Sequence, residues 1–401
     1  MNKKYAMLVL LVIGIGVLVP GSAQPPATSA QENGLLIWVR EDHPINFDAI
    51  SGTFERDYNL PIKVETKPWA DIRDQFADAA RSGSGPDIFT ASDDWLWRYI
   101  PDGLIEPVDL GPKTTDYIPF AIQALSHDGR LYGVPYLLEN LAFVRNAELV
   151  PDVPKTWAEV MEISGSIRER GAADYGFVMQ DYDWYDFYPI QTAFGGYVFG
   201  RRPDGTFDVH DIGLNNDGSI AALQWLQQMV QGGLMPNELD YETAFNMFGA
   251  GKAAMIIVGP WEIGRLDQSG VPYGVSGFPV AALPGSPWVH VQAFIVNAHS
   301  HHKEAALDLL TQYIATEQNM RIISADSRRL SASTTVFEQT DDPVLRGFIE
   351  ALMNGQQFPY GPELDIVWGP YVDAIQRVRE GAEPQAAVKE AVASIRQQIG
   401  Q

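Results

Sequence analysis

Residues 35–65 read LLIWVREDHPINFDAISGTFERDYNLPIKVE, and residues 69–90 read WADIRDQFADAARSGSGPDIFT. Leu35 to Val39 is a short apolar run that ends in the polar cluster Arg40-Glu41-Asp42-His43. Phe47, Ile50 and Phe54 recur at helical spacing, so Phe47 to Tyr58 is expected to be a helix. Pro61 to Glu65 reads as a strand and Trp69 to Arg81 as a helix. Ser82-Gly83-Ser84-Gly85-Pro86 is a turn before a further short strand, Asp87 to Thr90. This β-α-β-α-β order predicts an open α/β sheet. Ligands of such sheets sit beyond the carboxyl ends of the strands, where the Asp42 and Asp94 clusters would lie.

The alternation continues downstream. Leu131 to Pro135, Leu141 to Arg145, Tyr175 to Met179, Ala253 to Val258 and Val289 to Asn297 read as strands. A helix is expected after Pro154-Lys155-Thr156-Trp157, with Thr156 as N-cap and Glu159 completing a capping box. Asp217 to Val230 reads as an amphipathic helix ended by Gly232-Gly233. No internal repeat is present.

The chain has 401 residues and a formal charge of −23, from 28 Lys+Arg and 51 Asp+Glu. Hydrophobic residues make up 46%, enough for two or three folding units with real cores. The negative charge argues against a nucleic-acid partner, which needs a cationic surface, and against adsorption to an anionic membrane. Cysteine is absent, which excludes disulfides, thiolate metal sites, cysteine nucleophiles and a lipid-modified cysteine. Lys3 and Lys4, the apolar run Ala6 to Val19 and the small residues Gly21-Ser22-Ala23 read as an export signal over residues 1–23. Residues 24–33 then form a linker. The expected location is the periplasm or the outer face of the cell membrane, with the leader serving as a tether if it stays uncleaved.

Several motifs are ruled out. Gly251-Lys252 is followed by Ala253, so there is no Walker A loop. There is no G-x-S-x-G elbow and no H-E-x-x-H. His299, His301 and His302 precede a helix without an acidic partner at ligand spacing, and are expected to be a solvated helix start. No cofactor and no metal are expected.

The informative composition is aromatic. The chain carries 10 Trp, 16 Tyr and 18 Phe. In Gln180 to Tyr188, five aromatics mix with Asp181, Asp183 and Asp186. A core segment would rarely hold so many carboxylates, because an unpaired buried charge is costly. A neutral sugar needs this mixture: its CH face packs on an aromatic ring and carboxylates accept from its hydroxyls. The alternative is that the aromatics are core and the acids exposed. Asp42-His43, Asp93-Asp94-Trp95 and Gly259-Pro260-Trp261 each follow a strand and add to the sugar reading.

The chain resembles the maltose/maltodextrin-binding proteins of ABC importers, within the family 1 extracellular solute-binding proteins. The resemblance runs from residue 34 to the end and rests on ordered short matches. These are Leu36-Ile37-Trp38 through Asp42, Gly85-Pro86-Asp87-Ile88, Gly133-Val134-Pro135 through Glu139, Pro154-Lys155-Thr156-Trp157, Gly195-Gly196-Tyr197, Val258-Gly259-Pro260-Trp261, and Trp368. It implies an α/β, two-lobed periplasmic-binding-protein fold (type II) with lobes joined by crossing hinge segments. Lobe one is then 34–138 plus 292–340, and lobe two 142–287 plus 344–401. The hinges fall near Glu139 to Leu141 and Trp288 to Gln292.

The same resemblance implies the sugar contacts. Asp42 and Asp94 are acceptors from lobe one, and Glu139 is a hinge glutamate at the ligand. Asp183 and Tyr185 are an acid and a stacking tyrosine, across a two-residue insertion. Trp261 and Trp368 stack on successive sugar rings. The pattern departs from the maltose branch in its basic residues. His43 stands where lysine is common, Trp95 replaces an arginine, Ala91 a tryptophan, Gly369 a tyrosine and Val372 an arginine. Trp95 and Tyr371 are expected to supply replacement surface. The implied protein is a monomeric, non-enzymatic receptor that delivers maltose or maltodextrin to a membrane permease. Trehalose or another oligosaccharide is the alternative ligand. A secreted glycoside hydrolase, using Asp42 and Asp94 as a carboxylate pair, is the alternative class.

Overall fold

The computed structural model describes residues 34–181 and 183–400. The expected signal (1–23) and linker (24–33) lie outside the described residues, as does Tyr182. The strands that build the site are, in chain order, β1 (Leu35–Arg40), β2 (Ile62–Lys67), β3 (Ile88–Ser92), β4 (Val134–Asn140), β5 (Ala142–Asn146), β6 (Tyr175–Val178), β7 (Ala253–Val258), β8 (Tyr273–Ser276), β9 (Trp288–Asn297) and β10 (Leu330–Ser331). The helices that matter are α1 (Trp69–Ser82), α2 (Trp157–Glu169), α3 (Trp184–Ala193), α4 (Asp217–Gln231), α5 (Tyr241–Gly249), α6 (Pro343–Leu352) and α7 (Pro362–Arg379).

These strands form two mixed sheets, one in each lobe of an α/β fold. The larger runs β10-β4-β9-β3-β1-β2, and the smaller β8-β5-β7-β6. β1 lies parallel to β2 and β3, as the sequence predicts, so their carboxyl ends share one edge. β9 enters antiparallel between β3 and β4, pairing Gln292 with Ser92 on one side and His290 with Glu139 on the other. The central strands are buried on both faces, which is why β1 and β7 read as unbroken apolar runs.

Among the described residues up to α6, the chain passes between the sheets three times. A single residue, Leu141, separates β4 in the larger sheet from β5 in the smaller. The second passage joins β8 to β9. The third leads from β10 to α6, which packs on β8. A Cβ at Gly347 of α6 would stand 2.3 Å from the Val275 carbonyl oxygen, so only glycine allows this approach. Gln356–Gln357 then pairs with Trp288–Val289 at the start of β9, a tie to the larger sheet that the expected lobe boundaries do not include. α3 and α7 pack on α4.

Two local readings differ. The helix expected over Phe47 to Tyr58 is two short ones, Phe47–Ile50 and Phe54–Tyr58, broken at Gly52 with φ +61°. At α2, Thr156 Oγ1 accepts from the Glu159 amide at 3.1 Å, but the Glu159 carboxylate accepts from Lys155 N rather than from the cap residue. No described helix is long and apolar enough to cross a membrane.

Candidate functional site

A cavity of about 660 Å³ opens at the edge where β1 and β3 end. Arg40, Glu41, Asp42, Trp69, Ser92 and Asp94 border it from the larger sheet. Tyr185, Tyr241, Glu242 and Trp261 border it from the smaller. Glu139, His290, Gln292 and Phe358 border it near the passages between the two. Five residues expected from sequence are thereby brought together: Asp42, Asp94, Glu139, Tyr185 and Trp261.

A buried charge network forms the floor. Arg40 donates from Nε and Nη2 to the two oxygens of Asp42 at 3.0 and 2.7 Å, and from Nη1 to Gln292 Oε1 at 2.9 Å. This bidentate grip fixes the carboxylate plane. Asp42 keeps 32% of its side-chain surface exposed to the cleft. Gln292 Nε2 donates to Glu139 Oε2 at 2.9 Å, and Arg329 Nε lies 2.6 Å from Glu139 Oε1. Burial works against the charge on Glu139, but His43, Arg40 and Arg329 overcome it and hold its carboxyl well below the usual range.

His43 is not a cleft residue at this site. It is fully buried, with Nδ1 2.7 Å from the Tyr136 hydroxyl and Nε2 3.1 Å from Glu139 Oε1. Burial, together with Arg40, holds its pKa below 6.5. Its role in this geometry is to position Glu139. Trp95 is likewise buried, under Trp69, with ring centroids 4.4 Å apart. The aromatic residue that borders the cavity here is instead Trp69, which is 39% exposed and carries the Arg40 guanidinium 3.6 Å from its ring centroid.

On the opposite side, Trp261 follows β7 on the short turn Pro260–Glu262. Its indole folds back over Gly259, where a Cβ would stand 2.1 Å from the ring. Trp261 Nε1 donates to the Tyr241 hydroxyl at 2.6 Å, and that hydroxyl donates to Glu262 Oε1 at 2.6 Å. This relay fixes the ring edge and leaves its apolar surface to the cavity. Tyr185 stacks on His290 with centroids 5.7 Å apart.

Trp368 and Tyr371 do not reach the cavity. Trp368 is half-buried against Trp184, Trp288 and Phe358. Tyr371 is fully buried against Trp184. On α7 it shares a core face with Leu364, Val367, Ala374, Ile375 and Val378, a spacing that assigns it to packing. Among the described residues of the aromatic-acidic segment, only Tyr185 borders the cavity, while Trp184, Phe187 and Tyr188 are core. Each acid there is accommodated differently. Asp181 pairs with Arg379. Asp183 caps α3 by accepting from Tyr185 N at 2.8 Å and is no cleft residue. Burial, with Asp183 nearby, pushes Asp186 well above the ordinary carboxylate range.

Sequence reasoning missed Trp69, Tyr241, His290 and Gln292. The signal for the last two was present: polar residues at alternate positions of an otherwise apolar strand, Trp288–Asn297. His290 Nδ1 lies 3.3 Å from Asp93 Oδ1, 3.6 Å from Asp94 Oδ1 and 3.5 Å from Ser92 Oγ. Burial opposes the imidazolium, yet the two aspartates hold the His290 pKa above its ordinary value. Burial raises Asp94 in turn, against the pull of His290. Donor atoms of Asp93, Asp94 and His290 lie within 4.8 Å of one another, a spacing that could hold a metal ion. His299 and His301 are exposed and belong to no such cluster.

Comparison with known proteins places the chain among exported binding proteins. Residues 49–345 match the model of the bacterial extracellular solute-binding proteins. A galactooligosaccharide-binding protein of Bacillus subtilis is 25% identical, with 100% of this chain and 98% of the relative aligned. The maltodextrin-binding protein MdxE of the same organism is 26% identical over 100% of this chain and 98% of its own. A maltotriose-binding protein of Pyrococcus abyssi is 26% identical over 83% of this chain and 74% of its own.

Proposed function

The chain belongs to the family of bacterial extracellular solute-binding proteins, and from that premise we propose that it is a non-enzymatic receptor of an ABC importer that binds a short neutral oligosaccharide, maltose or a maltodextrin. The observation that carries this reading is the composition of the cleft. Trp261 and Tyr185 face it from one sheet, while Asp42, Asp94 and the aromatic Trp69 face it from the other. Aromatic surface covers the apolar faces of pyranose rings, and carboxylates accept from hydroxyls at their edges. Relatives named for maltodextrin, maltotriose and galactooligosaccharide support the ligand class.

The lobes would be 34–138 plus 292–340 and 142–287 plus 344–401, with hinges at the three passages between the sheets. Asn140 is suited to a hinge. It ends β4, and its side-chain amide donates to Leu141 O at 2.9 Å and to Phe348 O of α6 at 3.1 Å. A saccharide that touches both lobes only when they close favours the closed form by that difference in affinity. Shifting the balance from about 1:99 to 99:1 takes roughly 5.5 kcal/mol. The closed form would then dock on a membrane permease, with the protein held at the outer face by an uncleaved leader or released as a monomer.

The hydrolase alternative is disfavoured because the family and the relatives that the chain matches along its length are binding proteins. Tryptophan fluorescence titration with maltotriose, trehalose and a galactooligosaccharide tests the reading. A saturable change with maltotriose, without shorter sugars appearing, supports it. Saturation by trehalose or the galactooligosaccharide alone moves the ligand within the class. No change with any of the three overturns it.

A further inference from the structure

The contacts around His290 are poor hydrogen bonds. Ser92 Oγ, Asp93 Oδ1 and Asp94 Oδ1 stand 3.5, 3.3 and 3.6 Å from the same Nδ1. All lie beyond the preferred N–H···O range, and one ring nitrogen carries at most one proton to share among them. As ligand-to-ligand separations they are well matched. Donors held about 2.0–2.2 Å from a tetrahedral Zn²⁺ stand about 3.3–3.6 Å apart.

A second observation points the same way. Asp93 is fully buried, and its Oδ2 has no hydrogen-bond partner, while Oδ1 accepts from Val291 N at 3.0 Å. A buried carboxylate oxygen without a partner is costly. Asp93 and Asp94 are consecutive on one turn (Asp93–Trp95), so two carboxylates converge on a single imidazole. The imidazole is held in orientation by the Tyr185 and Phe358 rings, 5.7 and 4.9 Å away.

We propose that Asp93, Asp94 and His290 form a divalent-cation site of the zinc type in the wall of the cleft. One imidazole nitrogen with two carboxylates is a borderline donor set suited to Zn²⁺ rather than to Ca²⁺ or Mg²⁺. A dication balances both aspartates. Ser92, Asp94 and His290 border the cavity, so the fourth position is open to Ser92 Oγ, water or a ligand hydroxyl. The site stands on donor geometry and not on the nature of the solute.

Zinc calorimetry on tag-free, EDTA-stripped protein tests it. One Zn²⁺ per chain is expected. His290→Gln or Asp94→Asn should weaken it by more than the roughly 10–100-fold that loss of an outer-shell partner costs. His301→Ala, in the exposed histidine loop, should leave it unchanged. No zinc binding, binding indifferent to His290→Gln, or binding lost in His301→Ala overturns the site. Co²⁺ added to the wild-type protein reads the site without a variant. An intense four-coordinate visible spectrum supports it, and a weak six-coordinate spectrum overturns it. Maltotriose titration of the stripped and zinc-loaded forms separates the two readings. Saccharide binding without zinc binding refutes the metal site alone, and zinc binding without any saccharide refutes the receptor reading alone.

Discussion

Arg329 Nε stands 2.6 Å from Glu139 Oε1, and both side chains are buried. Arg329 immediately precedes β10, and Glu139 lies on β4, the strand paired with β10 through Leu330 and Leu138. The pair therefore joins the strand that leads into the first passage between the sheets to the strand that leads into the third. Arg40 and His43 complete it from the end of β1. Removing one member of such a network leaves buried charge uncompensated. Glu139→Ala is expected to cost about 3–5 kcal/mol, read as a lower urea midpoint at unchanged slope. A loss under about 1 kcal/mol would show that Asp42 and water satisfy both arginines.

Trp69 and Trp368 should separate binding from packing. Trp69 is exposed to the cleft, so Trp69→Ala should weaken saccharide binding about 5-fold, in line with the loss of one aromatic contact of about 1 kcal/mol. Trp368 packs on Trp184, Trp288 and Phe358 outside the cavity wall. Its alanine variant should lose about 3 kcal/mol of stability and bind within a few-fold of wild type. The reverse pattern, in melting curves and titrations together, would restore Trp368 as a stacking residue.

Tyr241→Phe removes the hydroxyl that accepts from Trp261 Nε1 and donates to Glu262. The indole loses its anchor but not its area. Affinity should fall about 5-fold, on the order of one hydrogen bond of about 1 kcal/mol. A loss as large as that of Trp261→Ala would mean that the hydroxyl contacts the solute itself.

Stability should fall on mild acidification through His43. Its folded pKa is lowered by burial, from an ordinary value of 6.5. As pH falls below 6.5 the unfolded chain takes up a proton that the folded chain resists, so the contribution is present above that pH and lost below it. Glu139, also lowered, extends the loss below about pH 4.3. His290 has the opposite sign: its raised pKa stabilises below 6.5 and is lost as pH rises through the folded value. The difference between wild type and His43→Gln isolates the first effect. The variant should be less stable at pH 7.5 and lose less between pH 7 and 5. Parallel melting curves would contradict it.

Much of this site was legible because strand ends are. Asp42, Asp94 and Trp261 each follow an apolar run; the parallel strands β1 and β3 deliver the first two to one edge, and β7 of the other sheet delivers Trp261 to the facing side. Trp69 was hidden because it opens an amphipathic helix, where periodicity assigns it to packing. Tyr241 was hidden for the same reason, behind the N-cap Asp240. Trp95, Tyr371 and His43 misled because an aromatic or a histidine beside an acid looks the same in sequence whether it lines a cleft or supports the residue that does. The helical spacing of Tyr371 with Leu364, Val367, Ala374 and Val378 marks it as a packing residue. The surroundings of Asp181, Asp183 and Asp186 are not legible in sequence, since a salt bridge, a helix cap and burial leave no local pattern.

The most direct test of the account is paired calorimetry with maltotriose on wild-type protein and on Trp261→Ala. One saccharide per wild-type chain is expected, with a Kd raised about 10–100-fold in the variant, at the level of an interface hot spot. Equal affinity in both would contradict it, because the ring that faces the carboxylates across the cleft would then not touch the sugar.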